Sequence, residues 1–115
     1  MSIERYNVGP RLSQAVRHAG TVYVAGTVAD DPTAPAKEQT QQILRKIDVA
    51  LAHFGSNKSK LLSTTIWLSN MGHYDEMNQA WDAWVDKANT PARATVESRL
   101  ARPGYLVEIA AIASA

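Results

Sequence analysis

Thr90-Pro91-Ala92-Arg93-Ala94-Thr95-Val96-Glu97, followed closely by Tyr105-Leu106-Val107-Glu108-Ile109-Ala110-Ala111-Ile112, decides the fold. Both stretches read as strands: the first opens on a proline that cannot donate to a ladder, and the second is bounded by Pro103-Gly104. Each carries one charge in a telling place. Arg93 follows Thr-Pro-Ala at the mouth of its strand, where a side chain can reach out from the end of a sheet. At a period of two, Glu108 shares a face with Leu106, Ala110 and Ile112, which is apolar except for that carboxylate. A carboxylate on an apolar face needs a partner or a chemical task.

Two readings of each charge are open at this level. Arg93, Thr95, Glu97 and Arg99 also lie on one face of an alternating strand, which describes a solvated surface with weak charge pairs equally well. Glu108 equally fits a structural ion pair or a strand-end carboxylate reaching water.

The remaining chain supplies the partners of these strands. Leu12-Ser13-Gln14-Ala15-Val16 and Thr21-Val22-Tyr23-Val24-Ala25-Gly26-Thr27-Val28 flank Ala19-Gly20, which predicts a hairpin. Asp30 to Pro35 is a loop dense in acids and prolines, with Thr33 or a neighbour expected to cap the next element. A helix follows from about Ala36 to Phe54, with Ile43, Ile47, Ala50, Leu51 and Phe54 on one face and Gly55 as its stop. The run Leu61 to Leu68 alternates so that Leu62, Thr64, Ile66 and Leu68 share a face and Trp67 points the other way. A second helix is expected from about Tyr74 to Lys87, with Met77, Trp81 and Trp84 at helical spacing for packing on the sheet.

This order, β-β-α-β-α-β-β, describes an α+β protein: a single mixed sheet with two helices on one face, and one domain over residues 1–115. The second sheet face, assigned here to Trp67, Val107, Ile109 and Ala111, is also apolar. Since sheets in water usually present polar residues outward, an apolar second face predicts an oligomer.

Composition excludes several classes. The 115 residues contain no cysteine, so disulfides, thiol catalysis and thiolate metal sites are out. Net charge is +1 with basic and acidic residues interspersed, which gives no footprint for nucleic acid. No apolar run has the length of a signal peptide core or a membrane span, so a cytoplasmic protein is expected, without a membrane partner. His18, His53 and His73 have no metal-ligand spacing, and no dinucleotide, phosphate-loop, zinc-protease or nucleophile-elbow motif occurs. Neither a metal nor a cofactor is expected.

The residues resemble the YjgF/RidA (reactive intermediate deaminase) family over nearly the whole chain. The resemblance rests on Pro91-Ala92-Arg93-Ala94-Thr95-Val96-Glu97 with Val107-Glu108-Ile109 at the family's spacing. Ser13-Gln14-Ala15-Val16, Val22 to Gly26, Gln42-Ile43-Leu44, and Tyr74 with Asn78 and Trp81 add to it. It implies a chorismate-mutase-like fold assembled as a homotrimer, sheets forming a central barrel and three clefts lying between subunits. It also implies hydrolysis of reactive 2-imino or enamine acids, such as 2-iminopropanoate and 2-iminobutanoate, to 2-oxo acids and ammonia.

Carried over by residue, Arg93 would hold the substrate carboxylate, a task suited to the guanidinium fork. Glu108 would position or activate the attacking water. Thr95, Leu12, Ser13 and Asn78 would contribute to substrate binding. Two positions depart from the family pattern: Leu12 stands where deaminases carry a tyrosine, and Thr95 where cysteine is frequent. The alternative function is therefore a non-catalytic trimer that binds a small carboxylate metabolite in the same cleft.

Overall fold

The computed structural model describes residues 2–115. Its six strands form one mixed sheet: β1 (Glu4–Val8), β2 (Ser13–His18), β3 (Thr21–Val28), β4 (Leu61–Leu68), β5 (Ala92–Glu97) and β6 (Val107–Ser114). Two helices, α1 (Ala36–His53) and α2 (Tyr74–Trp84), interrupt them, so the order is β-β-β-α-β-α-β-β. The strands lie side by side as β1-β2-β3-β6-β4-β5, antiparallel throughout except for the parallel pair β4–β5 that α2 connects.

The amino-terminal strand is absent from the sequence reading, for a physical reason. β1 is an edge strand in which only Tyr6 is half-buried, against the core, so its apolar alternation is too short to reveal it, and Asn7 interrupts it at a left-handed φ of 49°. The β2–β3 hairpin matches the expectation. Its turn residues Ala19 and Gly20 both have positive φ, 52° and 78°, the hand that fits the twist of paired strands.

Burial follows the sheet's alternation. Val22, Val24, Ile66, Leu68, Val107, Ile109 and Ala113 lie under α1 and α2 and meet Ile43, Leu44, Ile47, Leu51 and Met77 in one core. The other face carries Tyr23, Thr65, Trp67, Glu108, Ala110 and Ile112, half-buried or exposed. This corrects the face assignment: Val107, Ile109 and Ala111 are buried against the helices, and only Trp67 of the expected set lies on the open face. Both faces of β6 are apolar, so alternation distinguishes two faces without saying which one the helices cover. The open face remains mostly apolar, with different members.

Three local expectations also change. In β4, a one-residue register shift between Leu61 and Ser63 buries Leu61 and leaves Leu62 52% exposed, so Leu62 does not share the face of Thr64, Ile66 and Leu68. Thr33 does not cap α1: its backbone N–H and hydroxyl donate to Asp31 Oδ1 at 2.9 and 2.6 Å, and Pro35 opens the helix without a side-chain cap. The second helix ends at Trp84 rather than Lys87. Asp86 stops it by accepting from the Ala88 N–H at 3.0 Å, Asn89 Nδ2 at 2.9 Å and Ser59 Oγ at 2.7 Å. These bonds, the one from Ser59 foremost, hold the Asp86 carboxyl below the usual carboxylate range. Because the folded value is depressed, the turn's contribution is present above the ordinary carboxylate range and fades as pH falls through the folded value. The longer helix α1 ends as expected, with Gly55 at a φ of 74° just beyond it.

One buried side chain fastens two loops to the sheet. Gln39, fully buried in the first turns of α1, donates through Nε2 to the carbonyls of Ala34 (3.0 Å) and Gly104 (2.9 Å). Its Oε1 accepts the Leu106 N–H at 3.0 Å, immediately before Glu108's strand. Gln39→Ala strands these backbone groups away from water and is expected to cost about 3 kcal/mol of unfolding free energy. Denaturant titration checks this; a loss below about 0.5 kcal/mol contradicts it.

Candidate functional site

Arg93 lies in edge strand β5 beside Thr64 of β4, on the helix-covered face. The first residues of α2 are spaced to meet it: Tyr74, Asn78 and Trp81 recur at intervals of four and three and share one helical face. Arg93 Nη1 donates to Asn78 Oδ1 at 2.8 Å and Nη2 to the Tyr74 hydroxyl at 3.4 Å. The guanidinium carbon sits 5.3 Å from the Trp81 ring centroid and 6.0 Å from that of Tyr74. No carboxylate pairs with it among the described residues. A guanidinium has five N–H donors, so most of the fork remains available to an anion.

Thr95 is on the same face two residues further along, and its hydroxyl is buried without a hydrogen-bond partner, as is that of Thr64. Thus the structure brings together three of the residues expected at the site: Arg93, Thr95 and Asn78. The sequence reading treated Trp81 as packing alone. It is indeed buried, and it also forms a wall of the arginine's seat.

Glu108 belongs to a second cluster. It is half-buried in β6, opposite Val28 on one side and Trp67 on the other, on the face the helices leave open. Among the described residues its carboxylate has no ion pair and no side-chain hydrogen bond, so the structural ion pair is not what holds it there. Its place depends on Gly26. β3 carries a register irregularity between Val24 and Thr27, and any side chain at position 26 would overlap the Glu108 carboxylate. Sequence reading placed Gly26 in its strand without seeing this role. A glycine inside an otherwise β-branched run is the signal, since such a glycine marks a bulge or a close approach.

Gly26 opens onto a depression of about 570 Å³ bordered by the β1–β2 turn, with Leu12, Gln14, Ala25, Thr27 and Lys46 in its walls. Leu12 is 62% exposed there, and Ser13, the first residue of β2, pairs with Val8 and does not line it. Leu12 therefore lines the same depression as Gly26, and Ser13 stands apart.

The two clusters do not meet within one chain. Arg93 and Glu108 flank β4 on opposite sides, at Thr64 and Trp67, and their side chains leave opposite faces. Two strand spacings and three residues of rise put their Cα atoms roughly 14 Å apart. Among the described residues there is no group of acids and histidines that could hold a metal ion, and no helix long and apolar enough to cross a membrane.

Comparison with known proteins agrees with this architecture. The sequence profile of the family described as Endoribonuclease L-PSP matches residues 3–115. A RutC family protein of Haemophilus influenzae is 45% identical over 115 residues, covering 99% of each chain. The RutC family protein YoaB of Escherichia coli is 42% identical over 114 residues, again covering 99% of each. Among solved structures, NMB1025 of Neisseria meningitidis, a member of the YjgF protein family, superposes with a TM-score of 0.95 at 46% identity, over 99% of this chain and 95% of that one. Rv2704 of Mycobacterium tuberculosis, from the YjgF/YER057c/UK114 family, gives 0.88 at 29% identity over 99% and 100%.

The Gly26 clearance yields a test. Gly26→Ala displaces only the flexible end of Glu108, so the variant is expected to stay folded, with its melting temperature within about 5 °C of the wild type. A crystal structure should show the Glu108 carboxylate rotated from its place. An unmoved carboxylate would contradict the contact.

Proposed function

We propose, from the premise that this chain belongs to the YjgF/RutC family of Rid-type proteins, that it hydrolyses small 2-imino acids to 2-oxo acids and ammonia at clefts between subunits of a homotrimer. The observation that carries the reading is the pair of unpartnered charges, Arg93 and Glu108, held on opposite faces of one sheet. A site that uses both draws Arg93 from one copy and Glu108, with Gly26 and Leu12, from the next. The mostly apolar open face supports the association, because Trp67, Ala110 and Ile112 gain by leaving water.

The chemistry follows from the two groups. Arg93, its guanidinium oriented by Asn78 and Tyr74, holds the substrate carboxylate through two parallel N–H···O bonds and fixes the imine carbon. Glu108 accepts a proton from water as the oxygen attacks that carbon, giving a tetrahedral carbinolamine. Proton transfer to nitrogen then lets ammonia leave as the carbonyl forms. Imine and water are consumed, and 2-oxo acid and ammonia are produced.

A second reading, capture of a small carboxylate without turnover, draws on Leu12, which presents no hydroxyl to the depression beside Gly26. An endoribonuclease reading, suggested by the family's description, is disfavoured by a net charge of +1 with interspersed charges.

Ammonia and 2-oxo acid release from freshly generated 2-iminopropanoate and 2-iminobutanoate tests the proposal. Glu108→Gln is expected to slow turnover by roughly 10²–10⁴ while 2-oxo acid affinity is retained. Arg93→Lys keeps the charge and is expected to weaken binding of the 2-oxo acid by about tenfold or more. Wild-type protein that binds 2-oxo acids and leaves the imino acids to hydrolyse at their background rate selects the binding reading. Sedimentation equilibrium should give three times the chain mass; a stable monomer at micromolar concentration overturns the shared cleft.

A further inference from the structure

The depression beside Gly26 contains a cation that the proposed reaction does not use. Arg11 lines it from the β1–β2 turn, exposed and without an acidic partner among the described residues. The turn presenting it is held in shape. The Gly9 N–H donates to the Leu12 carbonyl at 2.8 Å, Pro10 fixes one backbone dihedral, and Asn7 Nδ2 donates to Gln14 Oε1 at 2.8 Å just below. The other cation of the depression, Lys46, is already engaged by the Val28 carbonyl at 3.0 Å and Asp30 Oδ1 at 2.9 Å. No acid lines the depression itself, and the Glu108 carboxylate lies against Gly26, so Arg11 is the lining cation left free to take an anion.

A substrate whose single carboxylate is bound at Arg93 leaves this guanidinium idle. We propose that Arg11 binds a second carboxylate at the far end of the ligand, so that the substrates are 2-imino dicarboxylic acids and the products 2-oxo dicarboxylic acids. This rests on the shared cleft argued above, where Arg93 takes the carboxylate next to the imine carbon. A single free cation matches a monoanionic carboxylate, whereas a phosphate dianion would leave charge uncompensated. At about 570 Å³ the depression also has room beyond a four-carbon monoacid. Leu12 then acts as the apolar side wall along which the connecting methylenes lie, a use for this residue that needs no hydroxyl.

Calorimetric titration of the full-length protein with 2-oxobutanoate and 2-oxoglutarate tests the assignment, comparing wild type, Arg11→Gln and Arg93→Lys. The wild type is expected to prefer the dicarboxylate by about tenfold, the scale of one charge-assisted contact. In Arg11→Gln the ratio of the two affinities should collapse towards one, and Arg11→Lys should restore part of it. A wild-type ratio near one, or a ratio that survives Arg11→Gln, overturns the inference and leaves the shared cleft standing if Arg93→Lys still weakens both acids. Full affinity of Arg93→Lys for both acids overturns the shared cleft itself. If the wild type binds neither acid, both ideas fall.

Discussion

Everything in this fold is referred to the two-sided environment of β6. It pairs antiparallel with β3 and with β4, and through β4 it positions the parallel edge strand β5. Val107, Ile109, Ala111 and Ala113 are buried under the helices. A slip of one residue would exchange that whole set with Glu108, Ala110 and Ile112, placing a carboxylate in the core. The apolar core thereby fixes Glu108 on the open face. Gln39 reinforces the register by binding the Leu106 N–H and the Gly104 carbonyl at the strand's entrance, as Gly26 leaves space for the carboxylate to lie over β3.

The same constraint separates the two charged groups. α2 must cover the face of β4 and β5 that carries Thr64 and Arg93, and its Tyr74-Asn78-Trp81 stripe becomes the arginine's seat. Glu108 is confined to the other side. On the proposed reading a single chain holds two half-sites on opposite faces, and association would bring one copy's arginine to the next copy's glutamate. The proposed function would then be a property of the assembly, because each charge alone lacks an ion-pair partner within its own chain.

Much of this was legible in the sequence wherever one physical signal acted alone. The β2–β3 hairpin announced itself through Ala19-Gly20, α1 through its apolar stripe and Gly55, and Arg93 with Asn78 through motif residues that do converge. The rest was hidden where two signals competed. β1 offers only Tyr6 and Val8 as apolar residues, too short an alternation to mark it, and the shift at Leu61–Ser63 reverses the phase of alternation at Leu62. The last predicted turn of α2 is pre-empted by the Asp86 side chain, which offers backbone and neighbours better hydrogen bonds than another helical turn. The separation of Arg93 from Glu108 was also invisible, since it depends on which of two apolar faces of β6 the helices choose. Gly26 was read as an ordinary strand residue because its role lies in the clearance it gives a side chain on a strand far along the chain.

Subunit mixing tests most directly whether the proposed catalytic pair, Arg93 and Glu108, spans two copies. Arg93→Ala and Glu108→Gln proteins, each inactive alone, are unfolded together, refolded and assayed for 2-oxo acid release. If each site takes Arg93 from one copy and Glu108 from its neighbour, random mixing in a closed ring restores about a quarter of the wild-type sites. If both residues served one chain's own site, every site in the mixture would lack one of them, and activity would stay at the level of the separate variants.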